Sequence, residues 1–402
     1  MIPKLLHPFA TPSREEFTTI VRGEGALVWD DQGTEYVDAL ASLWYVNVGH
    51  GRAEIADAVS TQMRKLSTFH TFEKFANEPS ERLAAMVAER SGMDGARVFL
   101  ANSGSEAIDS AMKLARVAQV RAGHPERTLI VSRDRGYHGV NYGGVSAQGL
   151  PLNKEGWGTL LPEVIQLPAD DLEAMATLFA ERGHEIAAVL TEPVQGAGGV
   201  HPPPEGYLQG LRRLCDQHGA YLIMDEVICG FGRLGRWLGS SHYGVEPDLA
   251  TFAKGVTSGY LPVGGVVVGR AVREPLEADD TFLLRHGYTY SGHPTTCAAG
   301  IANLEILEAE GLLERALHVG QRLGDGLRSL AADEVVGEVR GEGAVWAATV
   351  PEGHTALAVR DDLLTQGVIV RPILDAIAFC PPLVITDAQI DRIVDSLADC
   401  LK

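Results

Sequence analysis

The sequence predicts an α/β protein built on a mostly parallel sheet, and three observations lead to that class. Short apolar runs alternate with stretches of helical periodicity through the middle of the chain: ARVFLANSGSEAIDSAMKLARVA, RTLIVSRDRGYHG, EIAAVLTEPVQG, AYLIMDEVICGFG, PDLATFAKG and VGGVVVG. Strands alternating with helices require crossover connections, and crossovers make parallel neighbours. The two ends of the chain lack this rhythm and carry hairpin-like or mixed patterns instead.

The elements follow in chain order. Residues 22–40, RGEGALVWDDQGTEYVDAL, alternate around turn signals at Asp30-Asp31 and Gly33, as in a hairpin. Residues 98–101 read as a strand and 106–120 as a helix, with Asn102-Ser103-Gly104-Ser105 as the turn between them. The runs RTLIVS, AAVLT, AYLIM, LATFA and VGGVVVG continue the strands. Residues 303–402 mix amphipathic helices with short strands at 344–350 and 368–370. The pattern predicts a large central domain, residues 51–300. It is flanked by an N-terminal segment, 1–50, and a C-terminal segment, 301–402, that jointly form a small domain. No internal repeat or low-complexity run interrupts it.

Composition narrows the function classes. With 402 residues and 45% hydrophobic side chains the chain can bury a large core. Its 53 acidic and 34 basic residues leave a net charge of −19. That surplus argues against nucleic acid or an anionic membrane as partner. The five cysteines, Cys215, Cys229, Cys297, Cys380 and Cys400, are odd in number and form no C-x-x-C. They read as thiols in a reducing compartment, and no metal site is expected. The start, MIPKLLHPFATPSREEF, places prolines and charges where a signal peptide needs an apolar core, and no run approaches a membrane span. A soluble cytoplasmic protein is expected.

Three charged residues stand directly after apolar strands: Glu192 after AAVLT, Asp225 after AYLIM and Lys254 after LATFA. In open α/β sheets ligands bind beyond the carboxyl ends of the strands, so these side chains converge on one crevice. Each alone is equally well a strand-end charge turning to solvent; the three together point to chemistry. Burial strips a lysine of hydration and favours its neutral, nucleophilic amine, as imine formation with an aldehyde cofactor requires. An aspartate facing a pyridine nitrogen keeps it protonated, so the ring can take up the electron pair of a breaking Cα–H bond. The turn Ser103-Gly104-Ser105 at a helix start suits a phosphate dianion, although simple helix capping also explains it. It has neither P-loop nor dinucleotide-turn spacing. Tyr137 follows the strand RTLIVS and can stack on a flat ring or fill the core, while His138 reads as a structural histidine. Trp44, in ASLWYVNVGHGR, is a pocket wall or plain core. Arg371, in VIVRP, ends an apolar strand and is either paired structurally or free for a carboxylate.

These motifs resemble the class III aminotransferases, pyridoxal-phosphate (PLP) enzymes of fold type I also called ω-transaminases. The likeness covers nearly the whole chain. It centres on LIMDEVICGFGRLG, with Lys254 in PDLATFAKG standing 29 residues beyond Asp225. NSGSEAIDSAMKLAR, YHG, TEPVQGAGG and YTYSGHP match independently. The resemblance implies a large domain with a mostly parallel seven-stranded sheet and a small α+β domain formed by both termini. It implies pyridoxal 5'-phosphate as cofactor. Lys254 then matches the Schiff-base lysine and Asp225 the partner of the pyridinium nitrogen. Val227 and Tyr137 match the residues on the two faces of the ring, Gly104 and Ser105 the phosphate turn, and Glu192 the glutamate near the 3-hydroxyl. Thr289 matches a threonine that reaches the phosphate of the neighbouring subunit's cofactor, which implies a homodimer, or a higher oligomer built from it, with shared active sites.

Trp44 and Arg371 match substrate-side positions of amine:pyruvate members, where the arginine binds a substrate carboxylate. The family continues R-P-x-G after that arginine; here the residues are Ile373-Leu374, which bears on where Arg371 sits. The implied reaction is ping-pong transfer of an amino group from a small amine to a keto acid such as pyruvate. An aminomutase, racemase or decarboxylase of the same family is the alternative, followed by a non-catalytic PLP- or amine-binding protein.

Overall fold

The computed structural model describes residues 4–401. Among them the strands run, in chain order, β1 Ile20–Glu24, β2 Leu27–Asp30, β3 Glu35–Asp38, β4 Arg97–Ala101, β5 Leu129–Arg133, β6 Val164–Leu167, β7 Ile186–Thr191 and β8 Tyr221–Asp225. They continue with β9 Leu249–Phe252, β10 Gly264–Val268, β11 Val339–Glu342, β12 Val345–Thr349, β13 Val368–Ile369, β14 Arg371–Ile373 and β15 Ala376–Phe379.

A seven-stranded sheet of order β4-β10-β9-β8-β7-β5-β6 forms the centre. Its neighbours are parallel except at β10, which runs antiparallel to both β4 and β9. The expected mostly parallel sheet is therefore present. β7, β8 and β9 are buried at every position, as strands covered on both faces must be. Their alternation divides the core. Leu190 and Ile223 pack with the helix Gly104–Arg121, whereas Val189, Leu222 and Met224 pack with the helices Leu172–Arg182 and Tyr207–His218.

Two four-stranded sheets use the chain ends. One has the order β1-β2-β3-β13, in which β13 pairs parallel with β3 through Val368–Val37 and Ile369–Asp38. The other, β11-β12-β15-β14, is antiparallel. The strand expected at 368–370 stops at Ile369. Arg371 does not end that strand: it opens β14 in the other sheet, opposite Ala378. The chain changes sheets at Val370 because Val368 and Ile369 complete the ladder of β3, while Arg371–Ile373 fold back on β15.

Candidate active site

Strand direction decides where the functional side chains gather. Glu192 follows β7, Asp225 ends β8 and Lys254 lies two residues past β9; these strands are adjacent, so all three residues leave the same edge of the sheet. Beyond that edge lies a cavity of about 160 Å³ lined by Gly104, Ser105, Tyr137, Glu192, Asp225, Val227 and Lys254. Ile108, His138, Gly139, Ile228 and Ala253 complete its wall. Seven of the positions singled out in the sequence thus meet in one place.

Asp225 is held by three donors. His138 Nδ1 donates to Oδ2 at 2.8 Å, while the Val227 amide at 3.1 Å and the Thr251 hydroxyl at 3.3 Å donate to Oδ1. His138 is buried, so this bond is shielded from water. The histidine is more than the structural residue that its sequence context implied, for it orients the carboxylate. Its partner lies 87 residues away in the chain.

Glu192 is buried too, and accepts the Tyr137 amide on Oε1 and the Gly196 amide on Oε2, each at 3.0 Å. Burial is the largest influence and pushes its carboxyl up to about 7, with Asp225 adding to the rise and His138 and the two amides opposing it. Arg133, fully buried at the end of β5, donates Nη2 to the Glu192 carbonyl at 2.9 Å and Nη1 to the Ala169 carbonyl. Burial lowers the pKa of Lys254, while the carboxylates of Asp225 and Glu192 pull it back. Lys254 also has φ +47°, a left-handed backbone uncommon for a lysine and found where surrounding structure holds a functional side chain in place.

The phosphate-type turn opens the helix Gly104–Arg121. Ser103 caps it, accepting the Glu106 amide at 3.2 Å, and the Glu106 carboxylate accepts the Asn102 amide at 2.8 Å. The capping explanation therefore holds for Ser103. The N–H groups of the first turn still point out of the helix end, where an anion is favoured. Gly104 leaves this turn open beside Val227, whose two methyls a Cβ would crowd at 3.1 and 3.2 Å. Ser105 Oγ accepts the Val140 amide at 3.0 Å, docking the loop that carries Tyr137 onto this turn.

The remaining candidates lie apart from the cavity wall. Trp44 is buried in an apolar cluster with Ile228, which does line the cavity. Arg371 is partly buried and acts electrostatically on Tyr137; among the described residues its side chain has neither a hydrogen bond nor an ion pair, and burial lowers its pKa. Thr289 is exposed at the turn Tyr288–Ser291, outside this chain's own cavity. No group of His, Cys, Asp and Glu among the described residues is arranged to hold a metal ion.

A family model described as aminotransferase class III matches residues 9–401. The chain is similar to the putrescine–pyruvate aminotransferase of Pseudomonas aeruginosa, at 35% identity over 95% of this chain and 90% of that one. It is 37% identical to the omega-aminotransferase of Caulobacter vibrioides over 91% of this chain and 89% of the relative. Among solved structures, an amine transaminase from an uncultivated Pseudomonas species in its PLP-bound form superposes with a TM-score of 0.95 at 35% identity, covering 100% of this chain and 99% of that one.

Proposed function

The chain belongs to the class III aminotransferases, and from that premise we propose that it moves an amino group from a primary amine or ω-amino acid to pyruvate in two alternating half-reactions. Its cofactor is pyridoxal 5'-phosphate. When bound, that cofactor supplies an aldehyde that carries the amino group and a ring that withdraws electrons from the carbon losing its proton. The residues present fit it. A desolvated amine, a carboxylate held by three donors and a helix-start turn cleared by Gly104 share one cavity.

Lys254 would hold the cofactor through its amine; once released, its Nζ would carry a proton from the substrate α-carbon to the cofactor's aldehyde carbon in the amine half-reaction, and in the opposite direction, to the acceptor's α-carbon, in the keto-acid half-reaction. Asp225, oriented by His138, would meet the ring nitrogen. Gly104 and Ser105 would receive the phosphate, Tyr137 and Val227 the ring faces, and Glu192 the 3-hydroxyl side. Trp44 acts through Ile228 on the cavity wall, and Arg371 receives a substrate carboxylate. The observation that carries this reading is the pair Lys254 and Asp225 at the ends of adjacent strands, facing one cavity.

We assign residues 51–300 to a cofactor-binding domain and 1–50 with 301–402 to the smaller one. The functional unit is a homodimer with shared sites. Thr289 is exposed beside apolar surface that includes Phe72 and Tyr290, and Phe72 packs near Gly287; such a patch is a place for a second copy. No helix among the described residues is long and apolar enough to cross a membrane. The acidic charge and reduced cysteines support a cytoplasmic location.

Borohydride reduction of the holoenzyme followed by peptide mapping tests the assignment: the pyridoxyl label belongs on Lys254. Cofactor colour that bleaches with an amine and returns with pyruvate marks transamination. A label on another lysine, or colour that no amine changes, would refute the proposal.

A further inference from the structure

The segment that carries Thr289 is irregular, yet it is tied down on both sides. Ser110, fully buried in the helix Gly104–Arg121, donates its hydroxyl to the Glu106 carbonyl at 2.7 Å. The same hydroxyl lies 2.9 Å from His286 Nε2 and 3.2 Å from the Tyr288 hydroxyl, within hydrogen-bond reach of both. The Tyr288 hydroxyl donates to the Glu106 carbonyl at 3.1 Å. His286 stacks on Phe99 of β4 with centroids 5.1 Å apart and planes within 7°, and Tyr288 meets both rings edge-on. On the other side of Thr289, Ser291 Oγ accepts the Tyr288 amide and the Ser291 carbonyl accepts Thr71 Oγ1.

We infer that Tyr288, seated on Ser110, is a positioning residue that presents the Thr289 hydroxyl to the phosphate site of a second copy of this chain. The inference rests on the dimeric reading above and names what makes it work. Thr289 is exposed and its side chain has no hydrogen-bond partner among the described residues, so its orientation must come from its neighbours. The residue immediately before it is anchored on the first turn of the phosphate helix, through the same Glu106 whose carboxylate shapes that turn at Asn102. Each subunit therefore builds its outgoing threonine on the same turn that receives its own phosphate. A loose arm would leave the hydroxyl to be ordered at binding, and that ordering would weaken the contact.

The test is a double-mutant cycle on cofactor affinity. Equilibrium dialysis of the dimeric apoenzyme with pyridoxamine 5'-phosphate reads ring and phosphate contacts without a covalent bond to Lys254. Thr289→Ala should weaken binding about tenfold or more, the scale of one hydrogen bond to a charged group. Tyr288→Phe keeps the ring packing and loses the hydroxyl; it should weaken binding at least about threefold, and Ser110→Ala should match it. If Tyr288 acts through Thr289, the double variant Tyr288→Phe/Thr289→Ala binds within about twofold of Thr289→Ala alone. Additive losses would overturn the inference, because Tyr288 would then act by its own route. So would full affinity in Tyr288→Phe or Ser110→Ala alongside a weak Thr289→Ala. Full affinity in Thr289→Ala would instead refute the shared-site reading itself.

Discussion

Replacing Arg371 with Ala separates a carboxylate-binding role from a structural one. The side chain is partly buried, and among the described residues no carboxylate or carbonyl receives it; Tyr137 is the group that offsets its desolvation. A guanidinium so placed is a cost to the folded chain unless a ligand meets it. Its removal should leave the melting temperature unchanged or slightly higher, whereas breaking a buried ion pair would cost about 3–5 kcal/mol. A substrate carboxylate can take two parallel charge-assisted hydrogen bonds from it, together worth about 2–3 kcal/mol. That corresponds to a loss of roughly 30- to 150-fold in kcat/KM for pyruvate and alanine. A simple arylalkylamine has no carboxylate and should lose little. Single-turnover absorbance measures each half-reaction separately, by bleaching with the amine and recovery of colour with pyruvate. Equal loss in both half-reactions, with a lower melting temperature, would show that Arg371 supports the fold and does not bind a carboxylate.

Asp225→Asn should keep the fold and bind cofactor but turn over about 10³-fold or more slowly, because an amide does not hold a ring nitrogen protonated; steady-state rates within about tenfold of the parent would contradict this. Leu374 stands at φ +54° as the first residue of the two-residue turn between β14 and β15, where glycine is at home. Leu374→Gly should therefore raise the urea midpoint by a stabilisation of about 0.5–1 kcal/mol, strain relief outweighing chain entropy, and an unchanged or lower midpoint would count against it. Glu226 is buried and accepts the Gly239 and Ser240 amides at 2.7 Å each, and burial pushes its carboxyl from the ordinary 4.5 up to about 7. The folded chain then binds this proton more tightly than the unfolded one, so the contribution to stability is full below about pH 4.5 and is lost as pH rises towards 7. Glu226→Gln should flatten the stability profile across that window, and superimposable slopes would show that Glu226 does not titrate there.

The apolar strands, the charges at their ends and the glycine-containing helix start are all readable along the chain. Burial on both faces demands an unbroken apolar run, and catalysis at a strand end demands a charge directly after it, so both are local patterns. Lys254, Asp225 and Glu192 were legible for that reason, and the family motifs supplied the cofactor. Other features depend on residues far apart in the chain and emerge only on folding. β10 inserts antiparallel between β4 and β9, and no local periodicity encodes a strand's neighbours or direction. Arg371 begins a strand, where its apolar context implied an end, because β13 and β14 belong to different sheets. His138 meets Asp225 across 87 residues, and Tyr288 meets Ser110 across 178. Those bonds form because parallel strands bring their carboxyl ends to one edge and because the Gly104–Arg121 helix packs beside the arm that bears Thr289. A hydrogen bond is specified by distance and angle in space, and spacing along the chain sets neither until the sheet is assembled.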